Sequence, residues 1–498
     1  MTTLTPTPLH SLETLHHDHR FAALSPEYFS LVRPTPLPEP RLLHFNAAAA
    51  ALIDLDPAQA TRPEFTAIFA GNQPLPGGRP LATLYAGHQF GQWVPQLGDG
   101  RAILISQVRN RRGESWDLQL KGAGRTPYSR FGDGRAVLRS SIREYLCGEA
   151  LHGLGIPTTR ALCLIGSPEI VQRETLETAA VICRMAPSHV RFGHFEVFYA
   201  RNQYERLGPL ADHIIHEHAP QHAGDYPGWL DSVSADTARL MAQWQSVGFC
   251  HGVMNTDNMS ILGLTLDYGP FGFLDAFDPA HVCNHSDEGG RYAYHRQPQI
   301  AHWNVSRLLQ AALPLLHAEP ETAVRIGNEI LARYPAIYAA EVTARWRAKL
   351  GLRESREEDV ELINRFLEIL QAGRSDFSRS FRLLSQLRSQ GTDSGPLRDE
   401  LADLARFGAW CVDYRARLQA EQSDDAERRR RMDAINPLYV LRNHLAQRAI
   451  ERAQAGDTQE ITTLMRLLQA PCVEQPGCEA YAAAPAPGTA QVPVSCSS

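Results

Sequence analysis

The sequence predicts an α+β fold of two lobes, with an N-terminal extension and a large helical C-terminal region. Three observations predict it. Between positions 98 and 152 a glycine turn, two strand patterns and an amphipathic helical pattern follow one another. Residues 251–269 place an Asp-Asn pair and a further Asp on either side of a short apolar run. From 300 to 470 apolar residues recur at helical spacing, as in 305–316, 358–370 and 438–452. On this reading residues 1–80 form the extension, 81–200 the strand-rich lobe and 201–310 the core of the larger lobe. Residues 311–470 form the helical region and 471–498 a flexible, cysteine-containing tail.

Composition bounds the function classes. The chain has 498 residues, 43% hydrophobic and 21% charged, as an ordinary globular protein with a large core has. A formal net charge of −6 gives no general attraction to nucleic acid or an anionic membrane. The run Glu427-Arg428-Arg429-Arg430-Arg431 reads as a solvated helix face. No apolar run reaches the roughly 18 residues of a membrane-crossing helix. The N-terminus has neither the basic nor the apolar region of a secretory signal. Nine scattered cysteines in so long a chain make no disulfide framework. The expected compartment is the cytoplasm, with neither nucleic acid nor membrane as partner.

The leader holds His10, His16, His17 and His19 and reads as polar and disordered. Residues 20–80 are proline-rich around Pro34–Pro40, an extended segment expected outside the core, and Asn46 caps a helix start. Gly98-Asp99-Gly100-Arg101 forms a turn before a strand at 102–108, where backbone N–H groups and Arg101 would suit an anion. A second strand, 116–121, ends at Lys121, and Gly122 to Gly124 leave room beside it for a ligand. Gly132-Asp133-Gly134-Arg135-Ala136 repeats the Gly-Asp-Gly-Arg-Ala of 98–102, too briefly to mark a duplication. A helix over 137–152 carries Glu144 beside its apolar face. Strand patterns at 161–165 and 179–185 follow, and Pro187 places Arg184 and Arg191 on a loop where they can converge. An amphipathic helix at 232–250 delivers the chain to His251. His281, Cys283 and His285 alternate, but no fourth residue has zinc-ligand spacing.

In 251–269 the apolar run Ile261, Leu262, Leu264 and Leu266 suits a hairpin turning near Gly263. Such a hairpin would bring Asn258 and Asp267 to one point, two hard-oxygen donors of the kind Mg²⁺ takes alongside phosphates. Protein kinases hold metal this way, with a catalytic-loop Asn and the Asp of Asp-Phe-Gly. His251 stands seven residues before Asn258, as the kinase His does before its Asn, and the order Lys strand, then Glu helix is that of a kinase N-lobe. The kinase base position, two residues after the His, is Val253, and a carboxylate stands instead at Asp257.

The segments Tyr85–Arg101, Leu118–Arg135 and His251–Asn258 together resemble the selenoprotein O family of kinase-like proteins, a likeness running from about Phe21 through the helical region to the C-terminus. The resemblance implies a protein-kinase-like two-lobe fold. It also implies transfer of AMP from ATP, or of UMP from UTP, to Ser, Thr or Tyr hydroxyls of proteins, with the nucleotide reversed and its α-phosphorus facing the acceptor. It implies that Gly98, Gly100, Arg101, Asp133 and Gly134 line the nucleotide, and that Lys121 pairs with Glu144 and with phosphate. Arg184 and Arg191 would add charge around the departing pyrophosphate, and Asn258 and Asp267 would hold Mg²⁺ or Mn²⁺. Asp257 would be the base, or alternatively a group behind the metal ligands. Cys496, third from the end, stands where some members carry selenocysteine. A Cys283–Cys496 disulfide would make activity redox-dependent, with Cys472 and Cys478 as alternative partners. Two competing readings are an ordinary kinase transferring the γ-phosphate and a nucleotide-binding pseudokinase scaffold.

Overall fold

The computed structural model describes residues 9–393, 395–486, 492, 494 and 495. Its centre is an antiparallel sheet built from β1 (Phe29–Leu31), β2 (Arg41–Phe45), β3 (Leu81–Thr83), β6 (Ala102–Arg109), β7 (Ser115–Lys121), β8 (Ala136–Val137), β9 (Arg160–Gln172) and β10 (Leu176–Ala186). The order is β1-β3-β6-β7-β10-β9-β2, with β8 pairing β10. A separate two-stranded hairpin, β4 (Gly87–Gln89) with β5 (Gln92–Val94), lies off the sheet.

Both faces of the sheet are buried, and side chains alternate between them. Leu118 and Leu120 of β7, with Val181, Cys183 and Met185 of β10, share one core with Leu12, Leu37, Phe65 and Phe69. Leu104, Ala180 and Ile182 face the other way, into a core with Ile142, Tyr145 and Leu146 of the helix Leu138–Gly153. The same alternation puts Gln119, Lys121 and Arg184 on the helix side.

The N-terminal extension departs from expectation. Residues 20–80 supply two strands of the sheet, and Leu37 is fully buried. The proline segment is held because Arg135 donates to the carbonyls of Thr35 (3.0 Å) and Pro36 (2.7 Å), and Thr35 N–H donates to Ala123 at 2.7 Å. The leader from residue 9 onward is packed as well. His10 N–H donates to Asp54 at 2.8 Å, and Leu12 and Leu15 are buried. A sheet with two apolar faces needs a cover on each, and this segment covers the face the helix does not reach.

Asp225 caps the helix Tyr226–Val247, which stops at Gly248 in the left-handed region (φ +71°) and passes into the short strand Phe249–Cys250 before His251. Beyond it the chain is helical, with Gln297–Ala311, the long Pro320–Lys349, Asp359–Gly373, Leu404–Ala420, Asn443–Gln454 and Gln459–Gln469. Leu445 and Leu464 from the last two reach the core under Leu138–Gly153. Arg428 is not on a solvated face: it is buried, donating to Asp425 at 2.6 Å and to the Leu387 carbonyl. Among the described residues no helix is long and apolar enough to cross a membrane. The segment read as a flexible tail holds a short helix, Glu479–Ala482, and Val494 is buried, accepting from His285 N–H at 2.9 Å. Cys496 lies outside the described residues.

Candidate active site

A cavity of about 850 Å³ opens between the sheet and the segment 253–270. Gly98, Gly100, Arg101, Lys121, Asp133, Gly134, Arg184, Arg191, Asp257, Asn258 and Asp267 all line it. Glu144 lies just behind the wall, bonded to two of the lining cations.

Two turns form the entrance. Asp99 is buried and accepts from Thr83 N–H (2.9 Å) and Thr83 hydroxyl (2.7 Å), which pins the first. Gly98 (φ +138°) passes where a Cβ would sit 2.7 Å from the Thr83 carbonyl, so the turn needs glycine. Gly134 (φ +77°) is similarly confined, its would-be Cβ 2.1 Å from the Gly124 backbone. Asp133 does not reach deep into the cavity but pairs at its rim with Arg173, at 2.8 Å.

Five charged groups, from two strands, one helix, one helix cap and the segment 251–269, meet at the base. Lys121 Nζ donates to Glu144 Oε2 at 2.5 Å and lies 3.8 Å from Asp267 Oδ1. Arg184 bridges Glu144 and Asp267, and Arg191 donates to Asp267 and, at 2.9 Å, to the Asp257 carbonyl. Neither arginine is on an open loop. Arg184 is within β10, and Arg191 caps the helix Phe192–Ala200, because β10 runs through Ala186 before the chain turns. Burial pushes Lys121 down to about 8, helped by the like charge of Arg184. Burial alone would raise Glu144, but Arg184 and Lys121 outweigh it and hold it at about 2. Asp267 stays well below the usual carboxylate range because Arg184, Arg191 and Lys121 overcome its burial. It sits at φ +55°, an uncommon backbone for a residue other than glycine and the kind of strain that clusters at functional sites.

The segment 251–269 holds its shape differently from a hairpin. Ser260 bridges Arg191 and Thr265 bridges Thr158, so its arms pair with neighbours rather than with each other, although Gly263 does turn (φ +63°). His251 is buried, and burial pushes it down to about 4. Its neutral ring takes the Val253 N–H on Nδ1 (3.3 Å) and donates from Nε2 to the Leu266 carbonyl (2.9 Å), tying both arms together. Asn258 donates from its amide to the Val253 carbonyl at 3.0 Å, which fixes the orientation of its side-chain oxygen.

Asp257 is the other unusual group. One carboxylate oxygen accepts from Gln89 at 3.1 Å, and the other is buried with no hydrogen-bond partner among the described residues. Burial raises this carboxyl to about 7, Gln89 and Arg191 offsetting only part of it. A carboxylate at that value exchanges protons near neutral pH, as a general base must. Val253 also lines the cavity, with an apolar side chain.

Cys283 stands apart, half-buried, with its thiol 3.6 Å from the Cys250 carbonyl. Sequence reasoning missed Gln89, Arg173 and Tyr85, whose ring lies 5.0 Å beneath the Arg191 guanidinium. The density of polar and aromatic residues at 87–93 was a usable signal for Gln89. Arg173, at a hairpin turn, had none.

A family model described as protein adenylyltransferase SelO matches residues 11–469. The chain is 55% identical over 487 residues to a protein nucleotidyltransferase YdiU of Methylococcus capsulatus, covering 95% of this chain and 96% of that one. A protein of the same description from Myxococcus xanthus is 53% identical over 492 residues, covering 98% of this chain and all of the relative (100%).

Proposed function

The chain belongs to the SelO family of protein adenylyltransferases, a nucleotidyltransferase family, and we propose that it moves AMP from ATP to protein hydroxyls at the cavity just described. The observation that carries this reading is the pairing, in one cavity, of a three-cation cluster with a buried carboxyl whose free oxygen has no partner.

Lys121, Arg184 and Arg191 would hold the β- and γ-phosphates, and the glycine turns at Gly98, Gly100 and Gly134 with Arg101 and Asp133 would line the rest of a reversed nucleotide. Asp257 would take the proton of a Ser, Thr or Tyr hydroxyl. The acceptor oxygen then bonds to the α-phosphorus, the bond from that phosphorus to the β-phosphate oxygen breaks, and pyrophosphate leaves. Fixed positive charge around the leaving group is where most rate enhancement in such transfers arises. Asn258 and Asp267 offer a fixed amide oxygen and a carboxylate, a donor set suited to Mg²⁺ or Mn²⁺ sharing phosphate oxygens. Such an ion would supply further charge neutralisation at the phosphates. UMP transfer from UTP at the same site belongs to this reading, as does a kinase-like arrangement in which 81–200 and 201–310 are the two lobes. The Cys283–Cys496 link remains part of the proposal, tested by a digest under non-reducing conditions.

Transfer of the γ-phosphate by an ordinary kinase is disfavoured by Val253, which puts no base at the kinase position. A scaffold without chemistry is disfavoured by Asp257, whose buried carboxyl a passive binding site has no use for. Incubation of the protein with ATP labelled at the α- or the γ-phosphate, a divalent cation and a bacterial lysate decides. Label retained from the α-position alone supports nucleotidyl transfer, γ-label alone makes the protein a kinase, and no label with intact nucleotide binding favours the scaffold.

A further inference from the structure

The hairpin β4–β5 has one edge in the active site and the other on a cationic, aromatic shelf outside it. Alternation along β4 separates the two. Gln89 points to Asp257, at 3.1 Å, while the ring of His88 packs at a tilt against Trp93 (5.0 Å) and meets the edge of Trp303 (5.3 Å). The hairpin is fastened to the catalytic segment residue by residue. His88 N–H donates to Thr256 hydroxyl at 2.7 Å, and Phe90 N–H donates to Asn255 at 3.1 Å. The helix Gln297–Ala311, which carries Trp303, is fixed to the same segment by Asn304, whose amide donates to the Met254 carbonyl at 3.0 Å. The shelf therefore stands at a constant offset from Asp257.

Two features mark the shelf as a binding surface. Its tip is an aromatic under strain: Phe90 has φ +50°, lines the cavity and is 38% exposed, beside Trp93 at 39%. A bulky residue in that region of backbone space is uncommon and persists where the surroundings force it. Its charge is also unbalanced. The guanidinium groups of Arg291 and Arg307 both lie over Trp303, at 4.8 and 5.3 Å, and neither has a carboxylate partner among the described residues. His88 Nδ1 lies 2.7 Å from the buried carboxylate of Glu196. Two like charges converge on one indole, and among the described residues no carboxylate pairs directly with either guanidinium.

We propose that this shelf is the acceptor subsite and that it selects hydroxyl-bearing segments flanked by acidic residues, Phe90 and Trp93 receiving the chain and Arg291 and Arg307 its carboxylates. The inference rests on the nucleotidyl-transfer reading and adds the acceptor's chemistry. The Arg291 guanidinium lies against Gly91 at the hairpin turn and Gln89 of the same hairpin bonds Asp257, so one acceptor segment would present a flanking carboxylate to Arg291 and its hydroxyl to Asp257.

The test compares two synthetic peptides with one serine, flanked either by glutamates or by lysines, as acceptors of α-labelled AMP, with nucleotide affinity measured separately. The glutamate peptide is expected to have a KM at least about tenfold lower at low salt, the advantage shrinking as salt screens the arginines. In a variant carrying both Arg291→Gln and Arg307→Gln the advantage should vanish through KM, with nucleotide affinity reporting that the site is intact. Replacing both by lysine should restore most of it. Equal KM values for the two peptides, or an unchanged preference in the glutamine variant, overturn the inference while leaving nucleotidyl transfer standing. A protein that binds nucleotide but places α-label on no peptide and no lysate protein overturns both.

Discussion

Replacing Asp257 by asparagine should sharply reduce turnover and, at alkaline pH, stabilise the fold. Asp257 is raised from 3.8 to about 7 because burial strips water from its charge faster than Gln89 and Arg191 replace it. A group whose folded value lies above its unfolded value contributes stability below the unfolded value and loses it as pH rises through the folded one. The wild-type protein therefore forfeits folding energy between about pH 4 and pH 7, and above pH 7 the loss is complete. A difference of about 3 units at about 1.4 kcal/mol each gives a ceiling of about 4 kcal/mol, and at pH 5.5 about half of it has accrued. Asparagine keeps the acceptor for Gln89 and carries no charge. With about 2 cal/mol/K of unfolding entropy per residue, 498 residues give about 1 kcal/mol per degree. The expected rise in Tm for Asp257→Asn is then up to about 4 °C at pH 8 and about 2 °C at pH 5.5, read by scanning calorimetry without nucleotide or metal. Turnover should fall by about 10²–10⁴-fold, the usual loss with a general base. A Tm that falls at pH 8, or a shift of the same size at both pH values, would refute the reasoning, because then the carboxylate is not a buried, uncompensated charge.

Glu144→Gln removes one of the two carboxylates that balance Lys121 and Arg184 and leaves Asp267 alone to offset three buried cations. Breaking one side of such a cluster costs about 3–5 kcal/mol, so Tm should drop by about 3–5 °C, in the opposite sense to Asp257→Asn. Arg191→Lys keeps the charge, but the lysine stem is shorter and its ammonium falls short of the position of Nη1, which bonds both Asp267 and the Asp257 carbonyl. Isothermal titration should show nucleotide binding weakened by about tenfold, the worth of one charged hydrogen bond. Asp99→Ala frees both Thr83 bonds and the first glycine turn, and hydrogen exchange at residues 97–101 should accelerate while that of the helix Leu138–Gly153 stays as it was.

Much of this architecture is local, and local features are readable in a chain. Strand β7 ending at Lys121, the helix around Glu144 and the cap at Asn46 each follow from spacing or from a single side chain bonding its own backbone. The placement of Arg184 follows equally from alternation once β10 is known to extend to Ala186; Pro187, which argues for a loop, only ends the strand. What alternation along one strand cannot say is which partner waits on the other side. The meeting of Lys121, Arg184 and Arg191 at Asp267 joins residues up to 146 positions apart in sequence, and the orphaned oxygen of Asp257 exists only because a hairpin from residues 87–94 closes over it. The same holds for the N-terminal extension. Its prolines argue against regular structure, yet the exposed face of a two-sided sheet and a buried Arg135 recruit it into the core. The sequence by itself determined the elements and the chemical types available to the site. The tertiary structure alone decided their charges and partners, because burial and long-range proximity are properties of the packed chain and set every electrostatic term on which the chemistry depends.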